Sequence, residues 1–199
     1  LPLLSNVRNF SSHLPAGIAN TFGRQIGESW TEGYALIVEP EEAGRVRLTD
    51  EPHYIGKTAF KRRGSSTGGR QKLSFSFEAR NSEGDDKDVE IFEFPEESDY
   101  VMYGPYNFDR ALMRNDLMYE LSNRSGRWAA HTRLVECYLH TRDGPISSAS
   151  YWGVYVFMEK IKRGEDRVAI TELSSGQTSE PEISGGYMLK IARAAPGDR

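Results

Sequence analysis

The residues best suited to chemistry are a lysine and the glycine-rich loop before it. Lys72 heads a strand-like segment, residues 72–78 (KLSFSFE), and follows a loop at residues 63–70 (RGSSTGGR). Glycines allow close backbone approach, hydroxyl and N–H groups donate hydrogen bonds, and a lysine fixed by a strand supplies a positioned cation. A polyphosphate-binding site requires this combination.

The same residues also have a plainer interpretation. The loop matches neither the GxxxxGK[ST] phosphate loop nor the GxGxxG pattern. A hairpin turn between two strands uses the same residue types, and Lys72 also fits a solvated lysine on an open sheet face. Since Leu73, Phe75 and Phe77 alternate with polar residues, the pattern predicts that Lys72 faces away from the core aromatics.

A helix is the clearest element farther along the chain. Asp109 is predicted as its N-cap, and Gly126 is predicted to end it. Met113, Leu117 and Leu121 repeat every four residues, which predicts a buried apolar stripe.

Two charged residues each allow two interpretations. Arg114, beside the stripe, is either an arginine whose stem covers apolar surface or part of an acid–base network that orients Lys72 across a cleft, as in protein kinases. Glu159 ends an apolar strand, where an acid either leaves the core for solvent or marks the place at which backbone groups meet an adenine edge.

The order of elements predicts an α+β fold, a mostly antiparallel sheet with a helix packed on one face. Residues 1–30 have weak periodicity and are interpreted as a loosely structured lead-in. Strands are predicted at residues 34–38, 55–63, 72–78, 89–92, 132–139, 153–159 and 186–191.

Composition narrows the functional classes. The 199 residues, with 38% hydrophobic residues and 10 Tyr, 9 Phe and 3 Trp, are enough for one core. A net charge of −4 argues against a general nucleic-acid or membrane-surface binder, and no apolar run is long enough for a membrane span. The single cysteine, Cys137, is interpreted as a buried small hydrophobe, and the histidines have no metal-ligand spacing.

Four segments in a fixed order resemble the spore coat protein H family, the CotH kinase-like proteins. They are Arg63, Gly64, Ser65 and Ser66 followed by Lys72, residues 103–106 (YGPY) followed by Asp109, Arg114 and Asn115, residues 153–161 (GVYVFMEKI), and residues 185–190 (GGYMLK). The resemblance covers roughly residues 30–190 and places residues 31–199 in the N-terminal portion of a CotH kinase-like domain.

The resemblance implies an atypical protein-kinase-like N-terminal lobe that transfers the ATP γ-phosphoryl group to Ser or Thr of coat or surface proteins. By position, Lys72 would contact phosphate, with Arg63, Gly64, Ser65 and Ser66 lining the phosphate loop. Met158 and Glu159 would lie near the adenine. Asp109, Arg114 and Asn115 would fall on the helix that supports the lysine.

Family members continue beyond the GGYxLK segment into a part that carries catalytic and metal-binding aspartates, and these 199 residues lack those motifs. We therefore expect ATP with Mg²⁺ or Mn²⁺ only in the intact protein, and no activity from this portion alone. The alternative is a non-catalytic coat, adhesion or surface module. The resemblance implies a spore-coat, secreted or cell-surface location, although the chain shows no targeting signal.

Overall fold

The computed structural model describes residues 4, 6–41, 44–64, 71–107, 109–184 and 186–187. Its strands are β1 (Ala16–Asn20), β2 (Thr31–Val38), β3 (Tyr54–Arg62), β4 (Phe75–Ala79), β5 (Asp99–Tyr103), β6 (Thr132–His140) and β7 (Tyr151–Glu159). Helix α1 spans Arg114–Arg124, and single 3₁₀ turns occupy Pro105–Asn107 and Ser148–Ser150. The chain divides into two units, residues 1–160 and residues 161–199.

All seven strands lie in the first unit and form one closed barrel, in the order β1-β2-β3-β4-β5-β7-β6. Every neighbouring pair is antiparallel except β1 and β6, which run parallel and close the barrel. Closure leaves no unpaired strand edge within this sheet. The predicted α+β fold with a kinase-like lobe is therefore wrong, because the strands close into a barrel and the described part of this unit has a single short α-helix.

Strand alternation fills the barrel interior with aromatic rings. Phe75 and Phe77 of β4 point inward, as do Tyr100 of β5 and Tyr155 and Phe157 of β7. Neighbouring ring centroids are about 5–6 Å apart, as between Tyr100 and Phe157 at 4.9 Å. The alternation predicted for β4 is thus confirmed, and Cys137 is fully buried among these residues as predicted.

Strand β1 lies inside the segment interpreted as a loose lead-in. Its residues Gly17 and Ala19 are small, so the alternation of large apolar side chains that reveals other strands is weak here. A second difference concerns the partner of β4. The predicted hairpin strand at residues 89–92 is absent, and β4 pairs instead with β5.

Helix α1 differs from its prediction in position and packing. It begins at Arg114 instead of directly after Asp109, and no residue within it is fully buried. Leu117 and Leu121 are 49% and 50% exposed, and Met113 is equally exposed, so the predicted buried stripe is wrong. Tyr119 makes the inward contact, packing on an outer cluster of β5, β6 and β7 residues.

Gly126 ends the helix as predicted. Its φ of +79° is in the left-handed region, where glycine carries no Cβ penalty. The amide of Gly126 donates to the carbonyl of Asn123 at 3.0 Å.

The described residues of the second unit form no regular strand or helix. An isolated parallel bridge joins Arg163 and Val168, and the Arg163 guanidinium lies 2.7 Å from the Glu172 carboxylate. Most of the predicted strand at residues 186–191 lies outside the described residues.

Candidate functional site at the barrel end

Lys72 lies before β4 and packs on the end of the barrel. Its Nζ donates to the carbonyl oxygen of Val154 at 2.5 Å and is 4.6 Å from the ring centroid of Tyr155, a cation–π contact. Because β4 begins only at Phe75, Lys72 is not part of the strand and the alternation of its side chains does not extend to it. The prediction that it faces away from the core aromatics is therefore wrong, since Tyr155 belongs to the interior cluster.

Two glycines make room for the lysine side chain. A Cβ atom on Gly104 would lie 2.9 Å from Lys72 Cγ, and a Cβ atom on Gly153 would lie 3.6 Å from Lys72 Nζ. Gly153 also has a φ of +85°, which a larger residue would adopt only under strain. Gly104 belongs to the YGPY segment and Gly153 to the GVY segment, so three separate segments meet here.

Arg63 and Gly64 stand at the same end, just beyond β3. The amide of Arg63 donates to the Ser74 carbonyl at 2.8 Å, and its guanidinium donates to Ser76 Oγ at 3.2 Å. Ser74 Oγ in turn accepts from the Gly104 amide at 3.0 Å. Arg63 and Gly64 are exposed, whereas Ser65 and Ser66 lie outside the described residues.

Burial sets the electrostatics of this end. Burial lowers the pKa of Lys72, whereas negative charge on Cys137 or Glu136 would raise it. Burial raises the pKa of Cys137 to about 12, so that thiol is neutral at physiological pH. Burial also raises the pKa of Tyr155, whose buried hydroxyl has no hydrogen-bond partner among the described residues.

The predicted helix residues form a separate group. The buried carboxylate of Asp109 accepts from the Arg114 amide at 2.6 Å and from the Ala111 amide at 3.1 Å. Arg114 Nε is also 3.7 Å from this carboxylate, and Asn115 follows, half-buried, in the first turn. Asp109 thus anchors the start of α1 from five residues upstream, which favours the structural interpretation of this ion pair.

Met158 and Glu159 lie at the far end of β7. Met158 packs outside the barrel beneath α1, whereas Glu159 is fully buried. Glu159 Oε2 accepts from the His131 amide at 2.8 Å and lies 3.0 Å from His131 Nδ1. Glu159 lies five residue steps along the strand from Val154, a distance of roughly 16 Å. The structure therefore does not bring Glu159 and Met158 to the Lys72 end.

Comparison with known families identifies the chain. A sequence model described as CotH kinase protein matches residues 60–194. The chain belongs to the CotH kinase family. A comparison with curated proteins gave no match. The family resemblance seen in the sequence is thereby confirmed, and the matched range contains Arg63, Lys72, Gly104 and Gly153.

Several contacts at the Lys72 end of this CotH protein were not predicted from sequence. Gly104 follows Tyr103 and Gly153 follows Trp152, but nothing nearby in the sequence links either glycine to Lys72.

The CotH chain shows neither a metal cluster nor a membrane helix in its described part. No group of three or more His, Cys, Asp and Glu side chains there could hold a metal ion. Within the same residues, no helix is both long and apolar enough to cross a bilayer.

Proposed function

We propose that this chain supplies the phosphate-binding part of the nucleotide site of a CotH-type protein kinase. The complete protein would transfer the γ-phosphoryl group of ATP to Ser or Thr side chains of coat or surface proteins. Family membership supports the kinase class, and it also supports a coat or surface location.

The observation that carries the proposal is the meeting of Arg63, Lys72, Gly104 and Gly153 at one barrel end. The half-buried ammonium of Lys72 stands beside glycine backbone that permits close approach, and the exposed Arg63 follows β3 at the same end. An ammonium has three donors, and Val154 accepts one of them among the described residues. Donors remain for a phosphate oxygen.

The residues present fit the phosphates of ATP better than they fit a metal ion. Cations and glycine amides suit an anion, whereas Mg²⁺ or Mn²⁺ requires oxygen ligands, usually carboxylates. When bound, the metal would neutralise charge on the transferred phosphoryl group. The residues of this chain would bind and orient the phosphates.

A second candidate function is a non-catalytic coat or adhesion module. It is favoured by the way in which Lys72 is held, because the Val154 carbonyl and the Tyr155 ring already give its ammonium internal partners. A lysine that only closes the barrel end would make the same contacts.

Replacing Lys72 separates these candidates. Lys72→Ala should weaken ATP binding roughly tenfold or more, because a hydrogen bond to a charged group contributes about 1.5–3 kcal/mol. The matched control is Lys57→Ala, since Lys57 lies on β3 away from this end and pairs with Glu32 at 3.7 Å. Titration calorimetry with ATP gives the affinity, and thermal denaturation gives the stability. A large loss of melting temperature with unchanged affinity would favour the structural module.

Phosphoryl transfer itself needs a separate assay. The full-length gene product is incubated with γ-labelled ATP and Mg²⁺ or Mn²⁺, alone and with a serine-rich coat protein. Labelling that disappears in Lys72→Ala and persists in Lys57→Ala supports a kinase. If neither the protein nor the partner is labelled, the kinase assignment fails.

A further inference from the structure

One side of helix α1 is apolar and exposed to solvent. Met113, Leu117, Met118 and Leu121 are 49%, 49%, 61% and 50% exposed. At about 3.6 residues per turn these four residues, here called the α1 face, lie on the same side of the helix, with Met113 as its N-cap. A contiguous apolar patch on the surface of a folded domain marks an interaction site.

Exposed apolar side chains are concentrated in this part of the chain. Of the thirteen large hydrophobic side chains exposed among the described residues, five lie between residues 113 and 128, the fifth being Trp128. Trp128 stands beside the last turn of α1, because the amide of its neighbour Arg127 donates to the Ser122 carbonyl at 3.1 Å. A single exposed apolar residue is ordinary, whereas a cluster of five favours a binding surface.

The opposite side of the helix is occupied by the barrel. Tyr119 packs on the outer cluster of β5, β6 and β7 residues, and Asp116 accepts from the Thr132 hydroxyl at 2.6 Å. These contacts fix the helix with the α1 face turned away from the barrel. The exposure of that face therefore follows from the way in which the helix is anchored.

The surroundings of the α1 face are basic. Its neighbouring cations are four exposed arginines, Arg110, Arg114, Arg124 and Arg127. Four arginines and two acids give residues 110–128 a net charge of +2, in a chain of net charge −4. Of the two acids, Asp116 lies on the barrel side and Glu120 pairs with Arg124 at 2.7 Å. A partner complementary to this face is therefore acidic as well as apolar.

A second copy of the chain does not fit this face. In a twofold dimer through α1 the same surface meets itself. Arg114 of one copy would then face Arg124 of the other in an antiparallel pair, and Arg114 of the other in a parallel pair. Like charges placed opposite each other disfavour such a contact.

A membrane surface fits less well than a protein. Anionic lipids attract a molecule through its positive charge, and this chain is acidic overall. The cations beside the α1 face are all arginines, and its apolar residues include two methionines with Trp128 close by. Arginine, methionine and aromatic residues are the types enriched at protein interfaces, from which lysine is depleted.

We propose that the α1 face binds a partner protein through an acidic amphipathic helix. Met113, Leu117 and Leu121 form a ridge at four-residue spacing, which packs into the groove between two such ridges of a second helix. Acidic residues beside the apolar stripe of the partner pair with the arginines. The proposal is independent of the proposed nucleotide site, because it uses none of the residues at the Lys72 end.

The binding test uses the full-length gene product and two synthetic peptides without tryptophan. One peptide is an acidic amphipathic helix built from four Leu-Glu-Glu-Leu repeats, and the other has lysine in place of every glutamate. Titration calorimetry should detect binding of the acidic peptide and not of the lysine analogue. Trp128 emission should move to shorter wavelength as the ring is buried, and Trp128→Phe should remove that change.

Variants locate the contact on the α1 face. Leu117→Ala combined with Leu121→Ala should weaken binding roughly tenfold or more, as expected for residues at the centre of an interface. The matched control is Ile55→Ala on β3, an equally exposed aliphatic residue that should bind like the parent. Arg127→Glu should weaken binding of the acidic peptide roughly two- to fivefold and strengthen binding of the lysine analogue. Arg142→Glu, on the exposed loop before β7, should do neither.

Three results would each overturn the proposal. If the folded protein does not bind the acidic peptide, the face is covered or has no such partner. If the double leucine variant binds as tightly as the parent, the contact lies elsewhere. If the parent and not the double variant sediments with POPC/POPG vesicles, while the peptide does not bind, the face belongs to a membrane. Should circular dichroism show the double variant to be unfolded, the charge exchange between Arg127→Glu and the lysine analogue decides the question.

Discussion

Gly104→Ala is the most direct test of how Lys72 is packed. The new Cβ would lie 2.9 Å from Lys72 Cγ, 3.1 Å from Tyr155 Cε1 and 3.3 Å from the Leu73 carbonyl oxygen. Tyr155 is fully buried and cannot retreat, so the lysine must leave its place or the sheet must shift. Overpacking of this kind costs about 1–3 kcal/mol. For a chain of this length, that corresponds to a fall of roughly 2–12 °C in melting temperature.

Thermal and urea denaturation, followed by circular dichroism, measure this cost. Gly27→Ala is the matched control, because nothing lies within 4 Å of its Cβ position, and it should change stability by less than about 0.5 kcal/mol. Combining Gly104→Ala with Lys72→Ala removes the colliding Cγ, so the two losses should not add. A Gly104→Ala protein as stable as the parent, or strict additivity in the double variant, would refute the packing described here.

Two further predictions concern the core and the helix. Cys137 should resist aromatic disulfide reagents at pH 8 until urea unfolds the protein. Burial raises its pKa from 9.0 to about 12, so the folded state retains a proton that the unfolded state loses. The unfolding free energy should therefore fall as pH rises through that window, and less so in Cys137→Ala. Leu117→Ala should cost under about 1 kcal/mol in urea denaturation, against roughly 2–5 kcal/mol for buried Leu139→Ala. A Leu117 loss as large as that of Leu139 would show that this helix face is covered.

Local patterns predicted the strands well where large side chains alternate. The strands near residues 34–38, 55–63, 132–139 and 153–159 are all present, and alternation placed Phe75 and Phe77 inside. Alternation carries no information about which strands pair at a distance. The parallel pairing of β1 with β6, more than a hundred residues apart, closes the barrel and depends on a strand of small residues.

The helix shows how a sequence period can mislead. A four-residue repeat of Met113, Leu117 and Leu121 records that one helix face is apolar, but not that anything covers it. In the barrel unit the helix is held instead by Tyr119 and by the Asp116 bond to Thr132. The prediction of Asp109 as the N-cap was wrong, because the helix begins at Arg114 with Met113 as its N-cap, although the Asp109 carboxylate does accept from the Arg114 amide.

The site prediction was limited for a related reason, because motifs give order along the chain but not distance in space. Lys72 and Glu159 both belong to family-like segments, yet the lysine contacts β7 at Val154 and the glutamate ends that strand. Glu159 is buried and accepts a hydrogen bond from the His131 amide, so a ligand held by Lys72 need not touch Glu159. For this CotH chain, the contacts of the cation are therefore set by the place at which the segment before β4 meets β7.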